Sequence, residues 1–384
     1  MKITVPAKSL KSAVDVASRY VTPASNASAY CHIKLSAIPA GTYLTAQGST
    51  NGVRIPVLDC VTTDEVDVLL PTDKIVKILG SAGDEVLTLT FVGPKLQIWA
   101  SRSRWEVSTM TPKDFVDWDY AVDGHDFAAD ATILGIIGDR ASKISSDDEI
   151  KGFQCQCVSL GMAGDQLIAV ATDGRKTIVS RTVADWDEHF DGKFVLVPTK
   201  SFAMIKATFG PSPQMLRVKF RQNEIAVASE GGTVALYRLA YGKYPLPSVF
   251  DTGHMYFSEP IVTTDFIRAI SQAAAVIDGD GSADKPQFNP NTTIKIQLEA
   301  ERFLIESLAT EQGSAVVDFP ARWAHEPVTI YLRPMLLNHV VKALDGLPFR
   351  LGQRGDGPIG IEAIGFTGLV CQVEAPESET GKAA

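Results

Sequence analysis

Three stretches of the chain carry the same order of apolar and polar positions. LLPTDKIVKIL begins at Leu69, LVPTKSFAMIK at Leu196 and YLRPMLLNHVV at Tyr331. Each passes a proline and then places an apolar residue every three or four positions, the period of a helix with one buried face. Pro71 answers to Pro198, Thr72 to Thr199, Ile75 to Phe202 and Ile78 to Ile205, with Leu337 and Val340 in the matching slots of the third copy. The copies stand about 127 and 135 residues apart. A repeat at that spacing governs the whole architecture.

A second helical pattern precedes each copy. Over residues 5–21, Leu10, Ala13, Val14 and Ala17 share one face, and Lys8, Lys11, Asp15 and Arg19 the other. Over 128–144, Leu134, Ile137, Ala141 and Ile144 point inward, with Arg140 and Lys143 outward. Over 263–277, Phe266, Ile270, Ala273 and Ile277 are the apolar set and Arg268 is outward. Six short helices therefore fall in three pairs. VLTLTFVG, LQIWAS, LRVKF, IAVAS, TVALYRLA, TIKIQLEA and FLIESLA read as strands punctuated by Gly, Asn, Asp and Pro, the pattern of antiparallel hairpins. The fold class is α+β: three repeated domains, each with two helices packed on antiparallel sheets, at 1–121, 122–251 and 252–375. A small polar tail at 376–384 is expected to be disordered.

Composition adds a constraint. With 45% hydrophobic and 21% charged residues the 384-residue chain reads as soluble and folded, too long for one ordinary core. The N-terminal stretch lacks the apolar run of roughly 7–15 residues of a secretory leader, and no stretch is long and apolar enough to span a membrane. Five cysteines without framework spacing fit reduced thiols, so a cytoplasmic location is expected.

The net charge of -9 argues against bulk attraction to nucleic acid. The distribution reverses that argument. The wet faces of the predicted helices carry Lys8, Lys11, Arg19, Lys74, Lys77, Arg140, Lys143, Lys200, Lys206, Arg268 and Lys342, against the acids Asp15, Asp73, Asp139 and Asp345. The bland alternative is an ordinary solvated helix face.

Catalytic chemistry is hard to find. The histidines at 32, 125, 189, 254, 325 and 339 form no HExxH pattern, and no GxxxxGK[ST] loop is present. Cys155 and Cys157 form CxC; on a strand both would point to one face, into the core. The loop DGDGSAD over 278–284 lacks the glycine and terminal Glu of a calcium loop. Arg354-Gly-Asp356 reads as a turn. No metal, no cofactor and no catalytic residue is assigned.

Particular segments resemble a known family. Ser101-Arg-Ser-Arg-Trp105 followed by VSTMTPKDF is similar to the "GRSRF…TLPAxDFP" segment of the bacterial sliding clamp, the DNA polymerase III β subunit. Ala171-Thr-Asp-Gly174 resembles its "ATDGHRLA", YRLAYGKYP over 237–245 its "xxLIDGKFPDY", and YLRPMLLNHVVKAL its "FNxxYLLDVLKAL". MKITVPAKSLKSAV resembles its opening strand and helix, and Thr310-Glu-Gln312 its "NPEQ". The segments keep order and spacing over nearly the whole chain.

The resemblance implies a head-to-tail homodimeric ring with sheets outside and helices lining a central hole. The eleven cations would then meet phosphates of double-stranded DNA without reading sequence. It implies a non-catalytic processivity factor that tethers a DNA polymerase and needs a separate ATP-dependent clamp loader. The partner cleft carries over to Thr172, Gly174, Arg175, Lys176, Thr177, Pro245, Val249, Phe250, Val370 and Val373. The ring interface carries over to Arg102, Arg104 and Trp105, facing Glu299 or Glu301 of the other chain. The alternative is a clamp-fold interaction protein that binds clamp partners without encircling DNA.

The sequence also departs from the family. Thr177 replaces an apolar Leu, "FPDYRRV" reads YPLPSVF, and the ending "YVVMPMRL" reads GLVCQVEA, with Val373 for a Met and Glu374 for an Arg. "RPTLPIL" reads NASAYCHI, which removes an arginine the family directs at DNA. Trp105 replaces the family Phe. Altered partner preferences are the expectation, because cleft anchoring depends on desolvated apolar pockets.

Overall fold

A computed structural model describes residues 1–22, 28–62, 64–145, 152–210, 213–242, 244, 252–276, 292–308 and 313–375. Six α-helices stand among them: α1 (Ala7–Ala17), α2 (Thr72–Ser81), α3 (Ala131–Ile144), α4 (Thr199–Phe209), α5 (Thr263–Ala274) and α6 (Pro334–Lys342). Each of α1, α2, α3, α4 and α6 follows directly on a strand or one residue after it. Pro6 and Pro71 turn the chain from strand into α1 and α2 in extended backbone, and Pro334 opens α6 where its missing N–H is not needed. At α3 the Asp130 carboxylate does the capping, accepting the Thr132 N–H at 2.7 Å.

The apolar stripes are buried as their period requires. Leu10, Ala13, Val14 and Ala17 of α1 are buried, as are Leu134, Ile137, Ala141 and Ile144 of α3 and Phe266, Ile270 and Ala273 of α5. Ile277 lies outside the described residues, as do the loop 278–284, Thr310-Glu-Gln312 and the tail 376–384.

The chain forms two compact units. The first (Met1–Gly135, Ala184–Phe190 and Lys200–Leu239) holds a five-stranded and a nine-stranded sheet. In the five-stranded sheet, Ser103–Ser108 pairs only with Lys95–Ala100 and is an edge. The nine-stranded sheet joins strands from two sequence repeats: Asn51–Pro56 pairs antiparallel with Val234–Arg238, setting Asn51 opposite Tyr237 and Gly52 opposite Leu236. Helix α1 packs on one face of this sheet, against Gly41–Gln47 and Asn51–Pro56.

The second unit (Ile136–Val183, Asp191–Thr199 and Ala240–Ala384) holds an eight-stranded and a four-stranded sheet. Its eight-stranded sheet is joined in the same way. Lys176–Val183 pairs with Phe366–Val370, setting Lys176 opposite Val370 and Thr177 opposite Leu369. Helix α6 packs on this join, where Gly368 leaves room for Val340: a Cβ at 368 would stand 2.4 Å from the Val340 side chain.

One expectation needs correction. Cys155 is not on a strand: Phe153–Gln156 is a 3₁₀ turn and the strand begins at Cys157. Cys157 is fully buried, and burial pushes its thiol up to about 11, whereas Cys155 is half-buried. Arg354-Gly-Asp356 is a turn as expected, with Gly355 at φ 58°.

Candidate nucleic-acid and partner-binding surfaces

The helix cations are not equivalent. In the first unit Lys8, Lys11 and Arg19 on and just after α1, Lys74 and Lys77 on α2, and Lys200 and Lys206 on α4 are all exposed. Two acids, Asp15 and Asp73, accompany these seven cations. Lys11 pairs with Asp15 at 2.6 Å, a surface i,i+4 contact worth a few tenths of a kcal/mol (about 0.3–0.5). The Arg19 guanidinium donates to the Ala207 carbonyl near the end of α4, which ties two helices of this unit together.

The cations of the second unit are more committed. Arg140 is half-buried; its guanidinium lies 5.3 Å from the centre of the Phe366 ring and donates to the Ser180 hydroxyl at 3.3 Å. Burial lowers its pKa, with Asp345 opposing. Lys143 donates to the Lys342 carbonyl at 2.9 Å. Arg268 pairs with Asp265 at 3.6 Å, an acid the sequence count omitted. Lys342 is exposed. With Asp139, Asp265 and Asp345 nearby in sequence, these helices are close to charge balance, so the excess of helix cations over acids lies mainly in the first unit.

The turn over 172–177 is built around a buried ion pair. Lys176 donates to Asp173 at 3.1 Å and to the Ile144 carbonyl at the end of α3 at 2.7 Å. Asp173 also accepts the backbone N–H groups of Arg175 and Lys176, each at 3.0 Å. Burial alone would raise the Asp173 carboxyl, but Lys176 and these N–H groups outweigh it and hold its pKa below the usual value. The Thr172 and Thr177 hydroxyls are 2.7 Å apart. Gly174, at φ 85°, takes the left-handed position of the turn. Cys371 N–H donates to the Arg175 carbonyl at 2.9 Å, which brings the C-terminal segment against the turn.

Strand alternation sorts these residues onto two faces. Lys176 and Val370 lie opposite one another on the face that α6 covers, and both are buried. Thr172, Thr177 and Leu369 lie on the other face. That face carries an apolar cluster of Ile168, Val170 and Val179, against which Phe194, Tyr244 and Leu369 pack half-buried. None of these six was named from the sequence; the register partner of Thr177 is the signal that finds them. Gly174 and Arg175 are exposed, and Val373 is half-buried, its N–H donating to the Tyr331 carbonyl at 3.0 Å. Pro245, Val249 and Phe250 lie outside the described residues.

At the edge strand Ser103–Ser108, Trp105 is half-buried and Arg102 and Arg104 are exposed. Arg104 stacks over Trp99 at 4.4 Å. In the second unit Glu299 is held by Arg302 at 2.8 Å, which also reaches Asp318 at 3.0 Å, while Glu301 is exposed.

No family model matches the sequence, and no curated protein matches it either. Solved structures do. The DNA polymerase sliding clamp of Bacillus subtilis superposes with a TM-score of 0.85 at 16% identity, over 98% of this chain and 100% of that one. The DNA polymerase III subunit beta of Pseudomonas aeruginosa gives 0.84 at 17% identity, over 97% and 100%. The beta subunit from the DNA polymerase of Streptococcus pyogenes gives 0.84 at 16%, over 98% and 100%. The chain has the sliding-clamp fold.

The edge strand with Trp105 belongs to the first unit, and the turn 172–177 with strand Phe366–Val370 to the second. Among the described residues no cluster of three His, Cys, Asp or Glu is placed to hold a metal, and no helix is long and apolar enough to cross a membrane.

Proposed function

We propose that this chain is a divergent DNA polymerase III β-type sliding clamp, two copies of which close head to tail around duplex DNA. The observation that carries the reading is the clamp fold over the whole chain, combined with cations on the repeated helices of a protein whose net charge is -9. Three domains, at 1–121, 122–251 and 252–375, would supply near-identical arcs. That is the physical reason for a chain to repeat itself. Helix cations then face phosphates, and the acidic remainder keeps DNA off the outside.

The mechanism is topological. A closed ring cannot leave internal DNA, so weak and mobile contacts suffice and no bond is made or broken. Closure would add the Ser103–Ser108 edge to a strand of the second copy, with Trp105 as apolar anchor and Arg102 and Arg104 meeting Glu299 or Glu301. Because Glu299 already pairs with Arg302, Glu301 is the freer acceptor. The turn 172–177 and the Leu369 face would hold a DNA polymerase and an ATP-dependent loader in the cytoplasm.

A second reading is a clamp-fold interaction protein that binds clamp partners without encircling DNA. One observation favours it: Arg140, Lys143 and Arg268 are engaged within the protein. Duplex binding at several KCl concentrations separates the two. A clamp gives weak, sequence-independent affinity that falls steeply with salt. Absence of duplex binding at low salt would favour the interaction protein.

A further inference from the structure

The join between Asn51–Pro56 and Val234–Arg238 in the first unit repeats the one between Lys176–Val183 and Phe366–Val370 in the second. Gly52 stands opposite Leu236 as Thr177 stands opposite Leu369. On the face away from α1, Trp118 and Tyr120 are laid over this join, packing on Ala226 and Leu236. A Cβ at Gly52 would stand 2.5 Å from the Tyr120 hydroxyl, so only glycine admits that close approach.

Beside Tyr120 opens a cavity of about 240 Å³, lined by Lys34, Arg54, Asp117, Trp118 and Tyr120 among others. Its charges are unequal in their commitments. Lys34 is 9% exposed and is neutralised by Asp117 at 2.6 Å and Asp67 at 3.5 Å. Arg54 is exposed, its guanidinium lies over the Tyr43 ring at 4.2 Å, and it has no carboxylate partner among the described residues. Tyr120 is 7% exposed, and its hydroxyl has no hydrogen-bond partner among the described residues. The Oε1 atom of fully buried Gln47 lacks one too. Native structures seldom leave such groups unsatisfied. Burial and the neighbouring Asp117 raise the Tyr120 phenol above its ordinary value.

We propose that this cavity binds a carboxylate carried on an apolar or aromatic body, with Arg54 as counter-charge and Trp118 as a wall. A guanidinium suits a two-pronged carboxylate contact. Among the lining residues Arg54 is the one cation without a carboxylate partner, and the Asp117 carboxylate in the same lining disfavours a phosphate dianion. The aromatic wall of Trp118 and Tyr120 favours a ligand with an apolar body. The site lies on the sheet face opposite α1, so it does not depend on DNA being encircled.

Calorimetric titration of the full chain with 3-phenylpropionate and with neutral 3-phenylpropanamide tests this. The acid is expected to bind about tenfold tighter than the amide, the worth of a charge-assisted contact. Arg54→Gln should lose about that factor, Arg54→Lys should recover part of it, and Lys95→Gln, in the five-stranded sheet, should change nothing. Far-UV circular dichroism confirms that the variants are folded. Equal binding of acid and amide, an unaffected Arg54→Gln variant, or no binding of either probe at millimolar concentration overturns the proposal. A third titration, with N-acetyl-Phe-Glu-Phe amide, separates two carboxylate sources. Tighter binding than phenylpropionate points to an acidic side chain of a protein partner; weaker binding points to a free organic acid. Either order supports the carboxylate site.

Discussion

The hydroxyl of Tyr20 lies 2.6 Å from the hydroxyl of Tyr237, with both side chains about 1% exposed or less. Tyr20 also lies 2.8 Å from the Thr208 hydroxyl. One buried phenol thus links the end of α1 to a strand and a helix contributed by the second sequence repeat, all within the first unit. Tyr237→Phe removes one hydrogen bond and leaves Tyr20 with Thr208, so it should cost about 1 kcal/mol. Tyr20→Phe takes one hydrogen bond from fully buried Tyr237 and another from half-buried Thr208 and should cost about 2 kcal/mol. Urea unfolding followed at the first unit checks the order; equal midpoints for both variants and wild type would contradict it.

The same phenol makes stability sensitive to alkali. Burial pushes the Tyr20 pKa up to about 12, against hydrogen bonds that lower it. The folded pKa lies above the unfolded one, so the contribution is intact below about pH 10 and is lost as pH rises through about 12. A loss on the order of 1 kcal/mol at about pH 11 is expected, and Tyr20→Phe should flatten that step. Identical pH profiles for the two proteins would remove Tyr20 as the cause.

Neighbouring residues of the turn 172–177 should separate fold from recognition. Lys176→Ala leaves Asp173 as an uncompensated buried charge and frees the Ile144 carbonyl, at a cost of about 3–5 kcal/mol. Arg175→Ala removes an exposed side chain and should stay within about 0.5 kcal/mol. Thermal unfolding of both variants tests the contrast. A small effect at Lys176 would mean that the pair is not what holds the turn.

The unequal commitment of the helix cations predicts unequal charge reversals. Lys74→Glu with Lys200→Glu should reduce the slope of log affinity against log salt by roughly 2, near 0.9 per lost phosphate contact. Arg268→Glu with Lys342→Glu should reduce it by about half as much, because Arg268 already pairs with Asp265. Equal losses would show that the basic face is shared evenly between the units.

The helices were legible because their 3.6-residue period is local: α1, α3 and α5 lie within the stretches read from apolar spacing, and α2, α4 and α6 begin inside theirs and run one to three residues past the end. Non-local facts were not. Arg140 sits at the flank of its helix, and only the remote strand that supplies Phe366 decides that it stacks instead of reaching outward. Lys176 was carried over as a cleft residue beside Arg175; strand alternation turns it inward, and Asp173 three positions earlier was the clue. Leu369, Val170 and Tyr244 were missed because register between distant strands leaves no trace in spacing. Cys155 was misplaced because a 3₁₀ turn precedes the strand where alternation was assumed.

Ring closure is the claim on which the proposed function rests. Small-angle X-ray scattering over a protein concentration series, for wild type and for Trp105→Ala with Arg104→Glu, tests it most directly. Wild type should give the mass of two chains and a distance distribution with the deficit at short separations of a hollow ring, while the variant gives one chain. A wild-type particle that stays at the mass of one chain at every concentration would contradict closure and leave the clamp fold without its topological role.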